Sequence, residues 1–500
     1  MSGIEIAFVN EKRLHPLAQR SSLAERLLPL ADEQDGTACR SPFARDRDRI
    51  IFCKAFRRLT HKTQLYISHE GNEHNRTRLT HTFEVGQIAK AIATNLSMNE
   101  ALVEAIAYGH DVGHAPFGHA GERQINRFLK GLEPFPRSVK DRITAAQRQE
   151  EDISGDFRHN YQSIRVLSFI EKYHPDYEGL NLSIPCLEGI LKHTKIKPLI
   201  DTGKPFDFPG IRDKSGPFSK LDIDKEFSMS IEGQIVSLAD EIAQVTHDTN
   251  DALRIGALAV DDLLKSSAIR AVVDGDKMRC PPSLENCDHQ KSRQHAQIMS
   301  ALLNHFIRFV ISEFRARIDD LSSESKHSAK KAYKSDSWLL PGNKIKDRAF
   351  EELKRIKDDI VLNNYMVNRM DNKGEYFIRN LFEAYLNNPR QLPDPILDYY
   401  CKIKKKEIVR LGVDGFVTWL RKKEKQYGIT EPLREKEETE IVTFLRDETD
   451  GREFRMLPHQ LIEKALPYFV IDKDFISVIA DYISSMTDKF AEQEYGHLYL

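Results

Sequence analysis

Cysteine is scarce, with six residues in 500 and no C-x-x-C pair among them. Cys39, Cys53, Cys186, Cys280, Cys287 and Cys401 are spread too thinly for a disulfide framework, which points to a reducing, cytoplasmic setting. No stretch reaches the about 18 apolar residues that would span a membrane. The opening "MSGIEIAFVNEKRLHPLAQR" lacks the unbroken apolar core of a signal peptide. An excess of one charge is missing too. Lys+Arg (74) nearly balance Asp+Glu (76), so the whole chain does not advertise nucleic acid as its main partner. Alternating apolar and polar runs, the mark of half-buried strands, are scarce, and no internal repeat is present.

Helical spacing is what the chain has in quantity. In "FEVGQIAKAIATNLS" the positions Val85, Ile88, Ala89, Ile92, Ala93 and Leu96 fall on one helix face, and "IEGQIVSLADEIAQV" repeats the pattern with Ile231, Ile235, Leu238, Ile242 and Val245. The predicted fold is therefore all-α, or mainly so. Polar segments interrupt it. Residues 133–157 read as a mobile insertion, and 203–220, 274–293 and 319–337 carry the Gly, Pro, Ser and charge of loops. "NNPRQLPDP" (387–395) is the best candidate boundary. With 40% hydrophobic and 30% charged residues, the chain suits a soluble globular protein of roughly two or three domains.

The stretch "YGHDVGHAPFGHAGE" (108–122) concentrates titratable groups. Val103, Ile106 and Ala107 share an apolar helix face that His110 continues, and Asp111 follows at the helix end before "VGHAP" breaks it. An imidazole and a carboxylate arriving together at an inward-facing helix end suit a divalent metal such as Mn, Fe, Co, Ni, Zn or Mg. Alone, the pair is a weak signal that reads first as a capped helix end with a satisfied histidine. Two further donors lie elsewhere: His81, at the start of the first amphipathic helix, and Asp240, which interrupts the apolar stretch of the second. Asp240 shares a face with Gln244 and Asp248, one and two turns along.

The ordered set His81, His110-Asp111, Asp240 resembles the H…HD…D signature of HD-domain metal phosphohydrolases. Five segments, "RDRDRIIFCKAFRRLTHKTQLY", "HNRTRLTHTFEVGQIAKAIA", "GHDVGHAPFGHAGE", "RHNYQSIRVL" and "ADEIAQVTHDTNDA", are similar in order to the deoxyguanosine triphosphate triphosphohydrolase (dGTPase) branch. The resemblance runs from about residue 41 to 260, with an echo at 377–393. It implies an HD-domain helical core with additional C-terminal helices. The expected division is an arm at 1–40, a catalytic domain at 41–395 and a charged, mostly helical region at 396–500.

The implied activity splits a deoxynucleoside triphosphate into a deoxynucleoside and inorganic tripolyphosphate. His81, His110, Asp111 and Asp240 would hold the metal, with Mn or Mg favoured for activity. His119, oriented by Glu122, would donate a proton to the leaving 5′ oxygen. Arg78 is the implied triphosphate contact, His114 and His159 are further implied substrate contacts, and Asp248 and Gln64 the sugar-side ones. Two departures stand out: Gln244 replaces a tyrosine common in relatives, and "SGDFRHN" replaces the usual "GGFEHN".

The basic stretch 401–428, with Phe416 and Trp419 between its charges, could bind a nucleotide effector or single-stranded nucleic acid. Its alternative reading is an amphipathic helix pair with a solvated face. The family is typically homo-oligomeric. The competing functions are an HD phosphohydrolase releasing phosphate or pyrophosphate from another nucleotide, and a regulatory single-strand-binding subunit.

Overall fold

The computed structural model describes residues 11, 13–34, 39–64, 76–149, 157–172, 174–175, 177–194, 196, 221, 225–275, 288–324, 334–335, 337–340, 344–447 and 451–500. Among them there are helices and four isolated β-bridges but no sheet, as the spacing predicts. The helices that matter here are α1 (Pro42–Phe52), α2 (Arg78–Asn95), α3 (Glu100–Gly109), α4 (Gly118–Leu129), α5 (His159–Arg165) and α6 (Ile184–Leu191). They are followed by α7 (Ile231–Arg254), α8 (Asp288–Glu324), α9 (Asp394–Leu411), α10 (Val413–Tyr427), α11 (Glu435–Arg446) and α12 (Lys473–Ser484).

The chain divides into two compact units, Met1–His114 with His159–Asp371, and Ala115–Arg158 with Asn372–Leu500. This division falls differently from the sequence-drawn boundary at 395.

In the first unit α7 packs on α2, α3, α6 and α8, and α3 packs on α1 and α2. The predicted stripe Ile231, Ile235, Leu238, Ile242 and Val245 is fully buried. So are Val85, Ile88, Ala89, Ile92 and Ala93 of α2. Each helix begins on a side-chain cap that satisfies an orphan amide: Thr77 for α2, Asn99 for α3 and Ser230 for α7. The described part of the N-terminal arm is not a free extension. Leu17 and Ala18 are buried, and Arg26 pairs with Glu33 at 2.6 Å and with Asp46 of α1.

The second unit is built around α9, which packs on α10, α11 and α12, while α12 also packs on α4. Lys404 is buried there with Glu407, Asp472 and Asp474 at 2.8, 2.9 and 2.7 Å. Phe416 is buried and stacks on Trp419 at 5.3 Å, so this aromatic pair packs within the unit. Where it is described, the predicted mobile insertion is anchored at several points. Val139 and Ile143 are buried, Glu133 pairs with Arg379 at 2.6 Å, and Arg148 Nε donates to the Val470 carbonyl at 3.1 Å. These long-range contacts are what composition alone does not reveal. Residues 150–156 and 203–220 lie outside the described residues, as do 276–287, 325–333 and 336. Residues 288–293 and 319–324 belong to α8, where loops were expected.

Glu232, at the start of α7, is a buried carboxyl whose Oε1 accepts from the amides of Gln19 (2.9 Å) and Asn99 (3.1 Å), while Oε2 has no partner. Burial pushes its pKa up to about 7. A raised folded-state pKa favours the protonated form, so this contribution is complete below the ordinary carboxyl value and is lost as pH rises through 7. The loss amounts to about 3 kcal/mol. Glu232→Gln should therefore gain thermal stability relative to the wild type between pH 5 and pH 8. A pH-independent difference in melting temperature would show that the carboxyl does not titrate with folding.

Candidate metal centre

Three helices of the first unit converge on one group of donors. His81 lies in the first turn of α2, His110 caps the C-terminus of α3, and Asp240 sits midway along α7. One donor atom from each lies within 4.8 Å of the others. His81 Nε2 is 3.0 Å and His110 Nε2 3.6 Å from Asp240 Oδ1. Asp111 is adjacent, its Oδ1 3.3 Å from His110 Nε2. Both histidines and Asp111 are buried, and Asp240 is partly exposed.

The turn after α3 is held by α5. Ser163 Oγ donates to the His110 carbonyl at 2.7 Å and accepts from Gly113 N at 3.0 Å. A Cβ on Gly113 would lie 2.1 Å from Ser163 N and 2.4 Å from the His159 carbonyl oxygen, so only glycine permits this approach.

Hydrogen bonds then orient each ring. His110 Nδ1 donates to the Ala107 carbonyl at 2.6 Å, leaving Nε2 buried without a hydrogen-bond partner between two carboxylates. That orphaned nitrogen in a His/His/Asp set fits a divalent cation. His81 Nδ1 meets His247 Nδ1 at 3.1 Å, and His247 Nε2 pairs with Glu84. The relay Glu84–His247–His81 is the kind of outer support that fixes a ligand's tautomer.

Electrostatics agree. Burial opposes charge on His110, yet the flanking Asp111 and Asp240 raise its pKa to about 9. Burial also opposes charge on Asp111 and Asp240. Even so, His110, His114 and Arg78 hold the first well below the usual carboxylate range, and His110 and His81 do so for the second. Burial, with His81 and Arg76 nearby, pushes His247 down to about 4 although Glu84 works against it.

The other predicted residues are placed as follows. Arg78 is buried, with Nη1 2.8 Å from Asp111 Oδ2. His114 Nδ1 is 3.0 Å from Asp111 Oδ1, and its ring stacks on His159 at 3.9 Å. Asp248 is buried on α7, and desolvation raises its pKa to about 6. Gln64 is half-buried, its Oε1 without a partner. His119 and Glu122 stand on α4 in the second unit, Nδ1 to Oε2 4.0 Å. Sequence reasoning missed Glu84, His193 and His247. Of these, His247 directly precedes Asp248 in a quoted motif, which was the one available signal.

Residues 78–244 match the HD domain family, and residues 344–410 match the phosphohydrolase-associated domain. Helical fold, donor set and these matches define an HD-domain phosphohydrolase. A deoxyguanosinetriphosphate triphosphohydrolase-like protein of Geobacter metallireducens is 37% identical over 355 residues, covering 71% of this chain and 80% of the relative. Proteins with the same name from Rhodopseudomonas palustris and Nitrobacter hamburgensis are 35% and 36% identical, with the same coverage of 71% and 80%. The chain belongs to this dGTPase-like family of HD-domain phosphohydrolases.

Replacing His247 with Ala should weaken Mn2+ binding by roughly 10- to 100-fold, the usual cost of losing an outer-shell partner. Equilibrium dialysis of the metal-stripped protein measures this. Unchanged affinity would mean that His247 only fills space.

Proposed function

We propose that the protein is a metal-dependent deoxynucleoside triphosphate triphosphohydrolase, converting a dNTP, dGTP foremost, to deoxynucleoside and inorganic tripolyphosphate. The carrying observation is the His81, His110 and Asp240 donor set with Asp111 beside it, in a chain 37% identical to a dGTPase-like protein. His81, His110, Asp111 and Asp240 would hold a divalent cation, Mn or Mg foremost, which would supply Lewis-acid charge stabilisation at the α-phosphate.

The chain's own residues do the rest. His247 and Glu84 keep the His81 ring aimed. Arg78, already committed to Asp111, lends positive charge to the phosphate side without leaving its pair. His114 and His159 present stacked imidazoles to the phosphates. Asp248 and Gln64 are the sugar contacts, and the unpartnered Gln64 Oε1 is free to accept a hydroxyl. Gln244, one turn beyond Asp240, offers an amide where the resembled family commonly has a tyrosine, so discrimination against ribonucleotides is less secure in this chain. His119, with Glu122 beside it, delivers the proton to the 5′ oxygen, since an alkoxide is a poor leaving group.

Incubating the Mn2+-loaded protein with each dNTP, alone and mixed, should release tripolyphosphate, identified by ion chromatography. Pyrophosphate or orthophosphate would assign a different phosphohydrolase reaction, and no turnover would favour a regulatory role. His119→Ala should lower turnover by roughly 10²- to 10⁴-fold with metal content near wild type. Asp240→Ala should lose both. Loss of metal from His119→Ala would reassign that histidine as a ligand.

A further inference from the structure

We infer that Asp488, at the start of the C-terminal helix Asp488–Tyr499, is a positioning residue for His119. It holds the backbone turn from which α4 starts, and that turn sets where the histidine stands. The inference rests on reading His119 as the proton donor. Phe117, His119, Gly374 and Asp488 all belong to the second unit.

The start of α4 is unusual. Its N-cap is Phe117, which has no side-chain oxygen to cap with and stands in the left-handed region at φ 61° and ψ 23°. Gly118 follows at φ 59°. Glycine adopts that conformation freely, but a bulky aromatic residue does so only where its surroundings impose it. Three contacts impose it here. Phe117 N donates to Oδ1 of the buried Asp488 at 2.9 Å. The Phe117 ring is buried, with its centroid 5.7 Å from that of Phe377. Gly374, inside the helix Tyr365–Asn387, makes room for it, since a Cβ there would stand 2.7 Å from Phe117 Cβ. Glycine weakens a helix interior, and the close approach of Phe117 is the reason for one at this position.

His119 takes its position from this turn. Its side chain is 58% exposed, so burial does little to fix the ring, and the backbone at the start of α4 decides where it can reach. The turn lies tightly on the helix that follows: a Cβ on Gly121 would be 2.0 Å from the Pro116 carbonyl oxygen. A shift at Phe117 is therefore passed to His119 in the first turn of α4 and to Glu122 one turn on. Arg123 of α4 also reaches the helix of Gly374, through Glu375 at 2.9 Å, but that pair is exposed and such pairs contribute little. The Asp488 bond is different in kind. Removing the carboxylate takes away the acceptor of a buried amide, and the left-handed turn loses what offsets its cost.

Steady-state turnover of dGTP by the Mn2+-loaded, full-length protein tests this, with metal content and melting temperature read on every variant. Asp488→Ala should lower kcat by roughly 10- to 100-fold, the scale of a misplaced catalytic group, with KM within about twofold and metal content unchanged. Asp488→Asn keeps an oxygen that accepts from Phe117 N and should recover most of that loss. Gly374→Ala crowds Phe117 from another side and should lower kcat in the same way, which keeps the test valid if Asp488→Ala fails to fold. Each variant is then combined with His119→Ala. If Asp488 acts through His119, the double variant turns over no more slowly than His119→Ala alone, whereas a general structural defect multiplies the two losses. Wild-type kcat in both Asp488→Ala and Gly374→Ala, or multiplied losses in the double variants, would overturn the positioning role and leave the proton donor standing. Full turnover in His119→Ala, or none in the wild type, would instead sink the reading on which this inference rests.

Discussion

His110 gives its Nδ1 proton to a carbonyl one turn back in its own helix, and that bond decides where the other nitrogen points. The remaining architecture can be understood as keeping this one orientation useful. α3 must end where it does for the ring to reach inward. Ser163 must close the following turn so that Asp111 arrives beside it. α2 and α7 must then bring His81 and Asp240 to the same nitrogen. Burial makes each of these placements strict, because a polar group withdrawn from water has to find a specific partner.

The same burial explains how charge is distributed around the centre. Deep in the unit, His193 and His247 are neutral across the physiological range, with pKa values near 3 and 4 as desolvation dominates. Lone pairs, not protons, are then what these rings have to offer. His110 differs only because two carboxylates face it. The site thus separates rings that carry charge from rings that carry geometry by means of neighbours alone.

Much of this was legible in the residues. Apolar spacing located α2 and α7, because a helix that buries one face must repeat every three or four positions. The His110-Asp111 pair, His81 and Asp240 were legible as an ordered set. What escaped were side chains acting through other side chains. His193 sits after an apolar helix and Glu84 on a half-exposed face, and nothing local distinguishes either from a residue with no task. Their partners are 34 and 163 positions away, His159 and His247, and only the fold makes them neighbours. The insertion at 133–149 failed for the opposite reason: its composition is that of a loop, but long-range pairs such as Glu133 with Arg379 hold it.

One helix carries an unusual share of the centre. Ser237, Asp240, Gln244, His247 and Asp248 all belong to α7, so their mutual placement is a matter of counting residues along a single rod. An added or deleted residue within that span would turn everything beyond it by about 100° and slide it by about 1.5 Å. Ser237, Asp240 and His247 could not then all face inward together. The segment can trade side chains one at a time, but its length is closed to drift. Variation among descendants of this chain should therefore accumulate there as substitutions, and as changes of length only in the loops outside it.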